Sequence, residues 1–287
     1  MSAIFRHELR SHFHGITAYL FMAFILSFIG IYTSLYCFKA YVVKFEYALG
    51  AGCFIFFICI PILTMKAIAE ERRQKTDQLL YSLPLSMTKV VLGKYLAMVV
   101  IFTIPMLIIS LYPLIIRNYG NIWLPEAYGT IFSFWLMGCA FIAIGIFMSS
   151  VTENQAIAAG FCFLVLILNY FLGTFANYVN TSAKASFSAV CVCIVLLAVI
   201  WWTITKNELL AAVIGAVLMA ANIGLFKFRS ALYEGFFPNL LQKLSLYERF
   251  YVTVDGKLDL TAFVFFITIG GVFLYLTVQS LEKRRYS

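Results

Sequence analysis

The chain has 287 residues, of which 63% are hydrophobic, 17% aromatic and only 12% charged, with a mean hydropathy of +0.93 and a formal charge of +8 at neutral pH. A soluble core of this length cannot hide so much apolar surface, so lipid must be the main solvent and a soluble globular protein is excluded. The basic excess is spread over many short loops, which suits membrane orientation and argues against nucleic-acid binding.

Hydrocarbon about 30 Å thick needs roughly 20 apolar residues per helical crossing. Continuous runs of that order recur along the chain, unlike the alternating ten-residue segments of an outer-membrane barrel. The expected fold is an all-α integral membrane bundle of about eight transmembrane helices: Ile16 to Cys37, Ala48 to Met65, Tyr95 to Ile116, Ala127 to Ser149, Ala156 to Ala176, Phe187 to Thr205, Leu209 to Phe226 and Leu260 to Ser280. We read the chain 1–287 as one transmembrane domain.

Residues 1–15 come first. Phe5, Leu9 and Phe13 recur every four residues beside Arg6, His7, Glu8 and Arg10, which predicts an amphipathic interfacial helix in the headgroup plane. All three histidines (His7, His12, His14) lie here, without nearby carboxylate or cysteine partners on one face, so no metal site is expected. The apolar run that follows is longer than a signal peptide's and lacks a small-residue cleavage site, so it reads as a retained span.

The densest charge lies in the loop 70–90, within AEERRQKTDQLLYSLPLSMTKVVLGKYLAMV. Glu71 precedes Lys75 and Arg73 precedes Asp77 at four-residue spacing, which predicts a charged helix continued by Leu79, Leu80 and Leu83. Pro84 should end it, and Ser86 or Thr88 can cap the next helix, which enters the membrane through Val90, Val91 and Leu92.

No Asp, Glu, Lys, Arg or His falls inside the spans as drawn. Intramembrane ionisable groups cost at least about 2.5 kcal/mol and usually serve ion or proton relays. An ion-coupled carrier and a charged-filter channel therefore lose support. Asn169 and Asn222 are the buried polar candidates, suited to interhelical hydrogen bonds, and Ala156 with Gly160 and Ala211 with Gly215 have the spacing of close helix contacts. The seven cysteines sit in or at the edge of apolar runs and read as packing residues. No G-x-x-x-x-G-K-[ST] loop occurs, so ATP, if used, must be bound by another chain.

Late in the chain, the loop 227–259 holds Phe236, Phe237, Leu240, Leu241, Leu244, Tyr247, Phe250 and Tyr251, largely three or four apart, which predicts an external interfacial helix; Asp255-Gly256 marks a turn before the last span. With the N-terminus inside, Lys and Arg number twelve on the cytoplasmic side and nine outside, five of those nine in the loop 227–259. The short loops set the orientation, which puts both termini in the cytoplasm.

The run E-E-R-R-Q-K-T-D-Q-L-L-Y-S-L-P-L-S-M-T-K-V-V-L-G-K-Y-L-A closely resembles the first cytoplasmic loop of type 2 ABC-transporter permeases, through Glu71, Arg72, Thr76, Leu79, Leu80, Leu83, Pro84, Leu92, Gly93 and Lys94. It departs from that pattern at Lys75, where the family usually has glycine. The stretch 148–159, MSSVTENQAIAA, resembles the family's second cytoplasmic loop, and the segments MSAIFRHELRSHFHGITAYLF and 247–285 resemble the ends of its gliding-motility type. That type typically has six spans, so residues 187–226 read as an extra helical hairpin turned at Lys206-Asn207-Glu208.

The resemblance implies a permease subunit of an ATP-driven transporter, with export as the expected direction, in a prokaryotic plasma (inner) membrane. The implied interface with an ABC ATP-binding subunit comprises Glu70, Glu71, Arg72, Arg73, Thr76, Asp77, Leu79, Leu80 and Pro84, with Thr152, Glu153 and Asn154 in the second loop. It further implies a second permease subunit, as homo- or heterodimer, and an accessory membrane protein with an external domain. No cofactor is expected in this chain, since ATP and Mg belong to the partner, and no catalytic residue is expected. Two alternatives stay open: a non-transporting anchor or assembly factor for a cassette-ATPase complex, and an intramembrane enzyme suggested by Glu70-Glu71. The second lacks the histidines such an enzyme needs within later spans.

Overall fold

The computed structural model of the protein describes residues 2–39, 44–76, 86–120, 122–205 and 208–285. Its regular elements are all helical among those residues. In lipid a helix satisfies its own backbone polar groups, and an open strand cannot. Hydroxyls within the apolar helices follow the same logic: Thr33, Thr64, Thr103 and Thr277 each donate to the carbonyl four residues earlier at 2.7 to 2.8 Å.

The chain divides into two compact units, Met1–Leu168 with Arg249–Ser287, and Asn169–Glu248. The helices are α1 (Ser2–His14), α2 (Ile16–Thr33), α3 (Phe45–Gly52), α4 (Phe56–Thr64), α5 (Ala69–Arg73), α6 (Met87–Ile109), α7 (Tyr112–Ile116), α8 (Leu124–Val151), α9 (Gln155–Tyr178), α10 (Ala183–Thr205), α11 (Glu208–Phe228), α12 (Phe236–Leu244), α13 (Leu246–Val254) and α14 (Leu260–Arg285). A π-helical turn, Ser34–Lys39, prolongs α2.

Six stretches are long and apolar enough to cross a membrane: Ile16–Lys39, Phe45–Arg73, Met87–Ile116, Leu124–Val151, Gln155–Tyr178 and Leu260–Arg284. The second, which includes α3, α4 and α5, reaches beyond the expected Ala48 to Met65 at both ends. The two further expected spans correspond to α10 and α11, helices of 23 and 21 residues. Their expected turn at Lys206-Asn207 lies outside the described residues.

In the first unit α8 is central and packs on α3, α4, α6 and α14. Phe56 of α4 organises an aromatic core, with ring centres 4.5 Å from Phe134, 5.6 Å from Phe141 and 5.9 Å from Phe102. Contact this close depends on small residues of α8: a Cβ on Gly138 would strike the Phe102 ring, and one on Gly145 would strike the Thr64 side chain. Of the two small-residue pairs expected to mediate packing, that of Ala156 with Gly160 makes no close approach at Gly160 among the described residues, where a Cβ would meet nothing within 4 Å. Gly215 does make a close approach, to Ala198 of α10.

In the second unit, α10 and α11 pair through Phe187 and Phe226, whose ring centres are 4.5 Å apart. Asn222 accepts the Tyr233 hydroxyl at 2.5 Å and donates to Cys191 Sγ at 3.2 Å. Asn169 acts as a connector, its amide donating to the Leu244 carbonyl and its Oδ1 accepting from Leu246 N–H at 2.9 Å.

The external interfacial helix expected in 227–259 is instead two helices, α12 and α13, broken at Ser245. Ser245 is extended (ψ 121), and its Oγ accepts from the Glu248 N–H at 3.2 Å, so a side-chain cap starts α13 where α12 stops. α13 is not a half-sunk surface helix along its length. Phe250, Thr253 and Val254 are buried, with Phe250 against Phe134 and the Thr253 carbonyl accepting from Thr130.

Candidate functional site

The charged segment is built onto the first unit by contacts from α6 and α8, with α1 joined to it through Lys94. α5 has no capping side chain of its own, since Ile68 stands at its N-terminus. Ser149 of α8 supplies the cap through space: its Oγ accepts from the Ile68 and Ala69 N–H groups at 3.1 and 3.0 Å and donates to the Met65 carbonyl at 3.2 Å. Two orphan donors of a helix start are thereby satisfied within a buried setting.

The C-terminal end of α5 is set by Lys75, which adopts φ +57. The Thr76 N–H then reaches back to the Glu71 carbonyl at 3.0 Å and the Lys75 N–H to the Arg72 carbonyl at 3.0 Å. This is a left-handed helix stop of the kind glycine usually makes, so the bend survives at the one position where the sequence departs from the glycine pattern. The expected charged helix running on through residues 74–76 is therefore corrected: α5 stops at Arg73, because the left-handed residue diverts the chain. Glu71 does not face Lys75 along a helix surface, and the expected partners and apolar edge Asp77, Leu79, Leu80 and Leu83, with Pro84, lie outside the described residues.

Glu71 reaches across to α6. Lys94 Nζ lies 2.7 Å from Glu71 Oε1 and 2.6 Å from Glu8 Oε1 of α1, with the three side chains 3%, 31% and 13% exposed respectively. One ammonium thus joins three helices, and a cation this buried needs both carboxylates to compensate its lost hydration. Arg72 is also turned inward, buried, with its guanidinium donating to the Ser150 carbonyl at the end of α8. Of the residues in the implied interface, Glu71 and Arg72 are thus engaged within the chain. Arg73, Gln74, Lys75 and Thr76 are exposed, while Glu70 is half-buried and accepts from Gln74 at 3.3 Å.

The second loop joins the same end of the bundle. Thr152 ends α8 in extended conformation and accepts from the Asn154 N–H, and Asn154 Oδ1 accepts from the Ala156 N–H at 2.9 Å to start α9. Glu153 lies 3.5 Å from Arg284 of α14, both exposed, and Ser280 donates to the Ser150 carbonyl at 3.4 Å. A polar cleft of about 910 Å³ opens between α1 and α5, lined by Glu8, His12, Lys66, Glu70, Gln74 and Lys94 among others. His12 is buried there, and desolvation, with Lys94 and Lys66 nearby, holds its imidazole below the usual value against the opposing pull of Glu8 and Glu70.

Sequence reasoning missed Glu8, Ser149 and Ser150 as members of this cluster, and gave Lys94 no partner. Lys94 did carry a signal. No acid stands three or four residues from it on its own helix, so a lysine at the mouth of an apolar run had to find its counter-charge elsewhere. Among the described residues no group of three or more His, Cys, Asp or Glu side chains is arranged to hold a metal ion.

Six apolar helical stretches of crossing length, with a charged segment anchored at one end of the first unit, define a multi-pass membrane protein. The chain belongs to the ABC-2 family of transporter proteins, whose sequence model matches residues 5–281. It is a membrane transporter permease subunit, of a family whose transmembrane subunits are not themselves catalytic and which implies a separate ATP-binding partner. No curated protein matches the chain.

Proposed function

We propose that this permease is the membrane half of an exporter in a prokaryotic plasma membrane, of the gliding-motility type, and that α5 with the loop through residue 90 and the 152–154 turn receives the motion of a docked ATP-binding subunit. The observation that carries the reading is the fastening of α5 to the spans. Glu71 is held by Lys94 of α6, the α5 start by Ser149 of α8, and Arg72 by Ser150. A push on the exposed edge of α5 would move α6 and α8 with it, because interlocked buried contacts resist independent sliding.

In this reading α1 lies in the cytoplasmic headgroup plane, both termini are cytoplasmic, and α10 and α11 cross the membrane as a hairpin added to six spans. A second permease copy or relative completes the path, with an accessory membrane protein acting from outside, and ATP and Mg stay with the partner. The basic residues of the short loops and the cytoplasmic-loop likeness of 71–94 and 148–159 support this orientation. The test is to purify the chain with and without its ATP-binding partner subunit. Hydrolysis should appear only with the partner and respond to reconstitution of the permease, and hydrolysis by the pure permease alone would overturn the division of labour.

A further inference from the structure

We propose that the outward face of α1 is a binding surface for anionic phospholipid headgroups of the leaflet it lies in. The inference rests on the reading that α1 lies at the membrane surface. Three observations point to it. The first is the roll of the helix. Ile4, Phe5, Glu8, Leu9, His12 and Phe13 are its least exposed residues, and Glu8, the only acid in α1, is pinned to the buried Lys94 at 2.6 Å. That ion pair turns the acid inward and leaves Arg6, His7, Arg10 and His14 exposed.

The second is the groove they form. Arg6, His7, Arg10 and His14 line it together with Leu9 and Phe13. Arg6 and Arg10 are one turn apart, so their guanidiniums can address one phosphate or two adjacent ones with paired donors. The apolar Leu9 and Phe13 beside them suit the glycerol and first acyl carbons. The groove's polar side carries only arginine and histidine, which is complementary to a phosphodiester.

The third is depth. Gly15 alone separates α1 from the apolar helix beginning at Ile16, and the Phe13 ring packs edge-on against Tyr19 of that helix at 5.9 Å. Ile16 and Tyr19 are exposed to the surroundings. The chain therefore holds His14 within a turn, and Arg10 within two turns, of the start of the apolar helix, near the headgroup phosphates. Each Arg near an anionic leaflet changes affinity about fivefold, so two together give roughly thirtyfold.

The test uses the full chain reconstituted in nanodiscs of mixed phosphatidylglycerol and phosphatidylcholine, with the lipids retained after mild extraction quantified by native mass spectrometry. The wild type should prefer phosphatidylglycerol, Arg6→Gln/Arg10→Gln should lose that preference by roughly thirtyfold, and Arg6→Lys/Arg10→Lys and the external control Lys243→Gln should keep most of it. A depth measurement, quenching a fluorophore at Ser2→Cys with lipids spin-labelled at the headgroup, separates the premises. A label at headgroup depth with undiminished preference in the Gln variant overturns the lipid site, and would be expected if these arginines instead met an acidic partner protein. A label out of reach of the headgroups overturns the placement of α1 as well.

Discussion

Lys94 offers the sharpest perturbation of the site. Its side chain is 3% exposed and lies 2.6 and 2.7 Å from two carboxylates. In Lys94→Met the apolar body of the side chain remains while Glu8 and Glu71 lose their shared cation. Breaking a buried pair by removing one partner costs about 3 to 5 kcal/mol, and because Glu71 is partly hydrated the lower end applies, about 3 kcal/mol. Glu71→Gln leaves Lys94 paired with Glu8 and should cost only about 1 to 2 kcal/mol, with Glu8→Gln between the two. At about 2 °C per kcal/mol for a chain of this size, Lys94→Met should lower the thermal midpoint in detergent by about 6 °C. The triple variant Glu8→Gln/Glu71→Gln/Lys94→Met strands no charge and should recover part of the loss. A Lys94→Met protein that melts within about 1 °C of wild type would refute the idea that this ammonium fastens α1 and α5 to α6.

His12 gives a pH dependence. Burial lowers its folded-state affinity for protons, so the unfolded chain binds the proton first and stability falls as pH drops from about 6.5 toward the lowered folded value. His12→Gln should flatten that part of the stability curve, and an unchanged slope in urea titrations would remove His12 as its source. Lys75→Gly should stabilise the protein by about 0.5 to 1 kcal/mol because φ +57 carries no penalty in glycine, whereas Lys75→Val should destabilise it, as thermal midpoints will report. In a background free of native thiols, Thr152→Cys should react with impermeant maleimide only from the cytoplasm and Lys243→Cys only from outside, and the reverse pattern would invert the proposed orientation.

Much of this fold is legible in the sequence because hydropathy in lipid is a one-dimensional signal: of the eight apolar runs expected to cross, six fall in helical stretches long and apolar enough to do so. The left-handed stop at Lys75 was not legible, since a lysine does not announce that conformation and the charges around it fit a longer helix equally well. Neither was the through-space cap from Ser149, which lies 80 residues from Ala69 and depends on how α8 packs. Arg72 and Arg73 look alike in sequence, yet α5 turns one inward and the other outward, a distinction of a single helical step. The break at Ser245 had a local sign, the Ser-x-x-Glu start from Ser245 to Glu248, that the regular spacing of aromatic residues masked.

The measurement that bears most directly on the proposed coupling is retention of the ATP-binding subunit by a permease altered only at α5 positions that do not anchor the helix to the spans. Glu71 and Arg72 are unsuitable because they anchor the helix, so the variant is Glu70→Ala/Arg73→Ala, with Lys257→Ala as the control. Exposed ion pairs contribute about 0 to 1 kcal/mol to folding, so the thermal midpoint should barely move. Truncating charges in a buried interface costs about 2 to 5 kcal/mol of binding, so co-purification and transport-linked hydrolysis should fall thirtyfold or more on the order of that loss. A double variant that holds its ATPase and couples hydrolysis like the wild type would contradict the account and leave these charges as a solvated face.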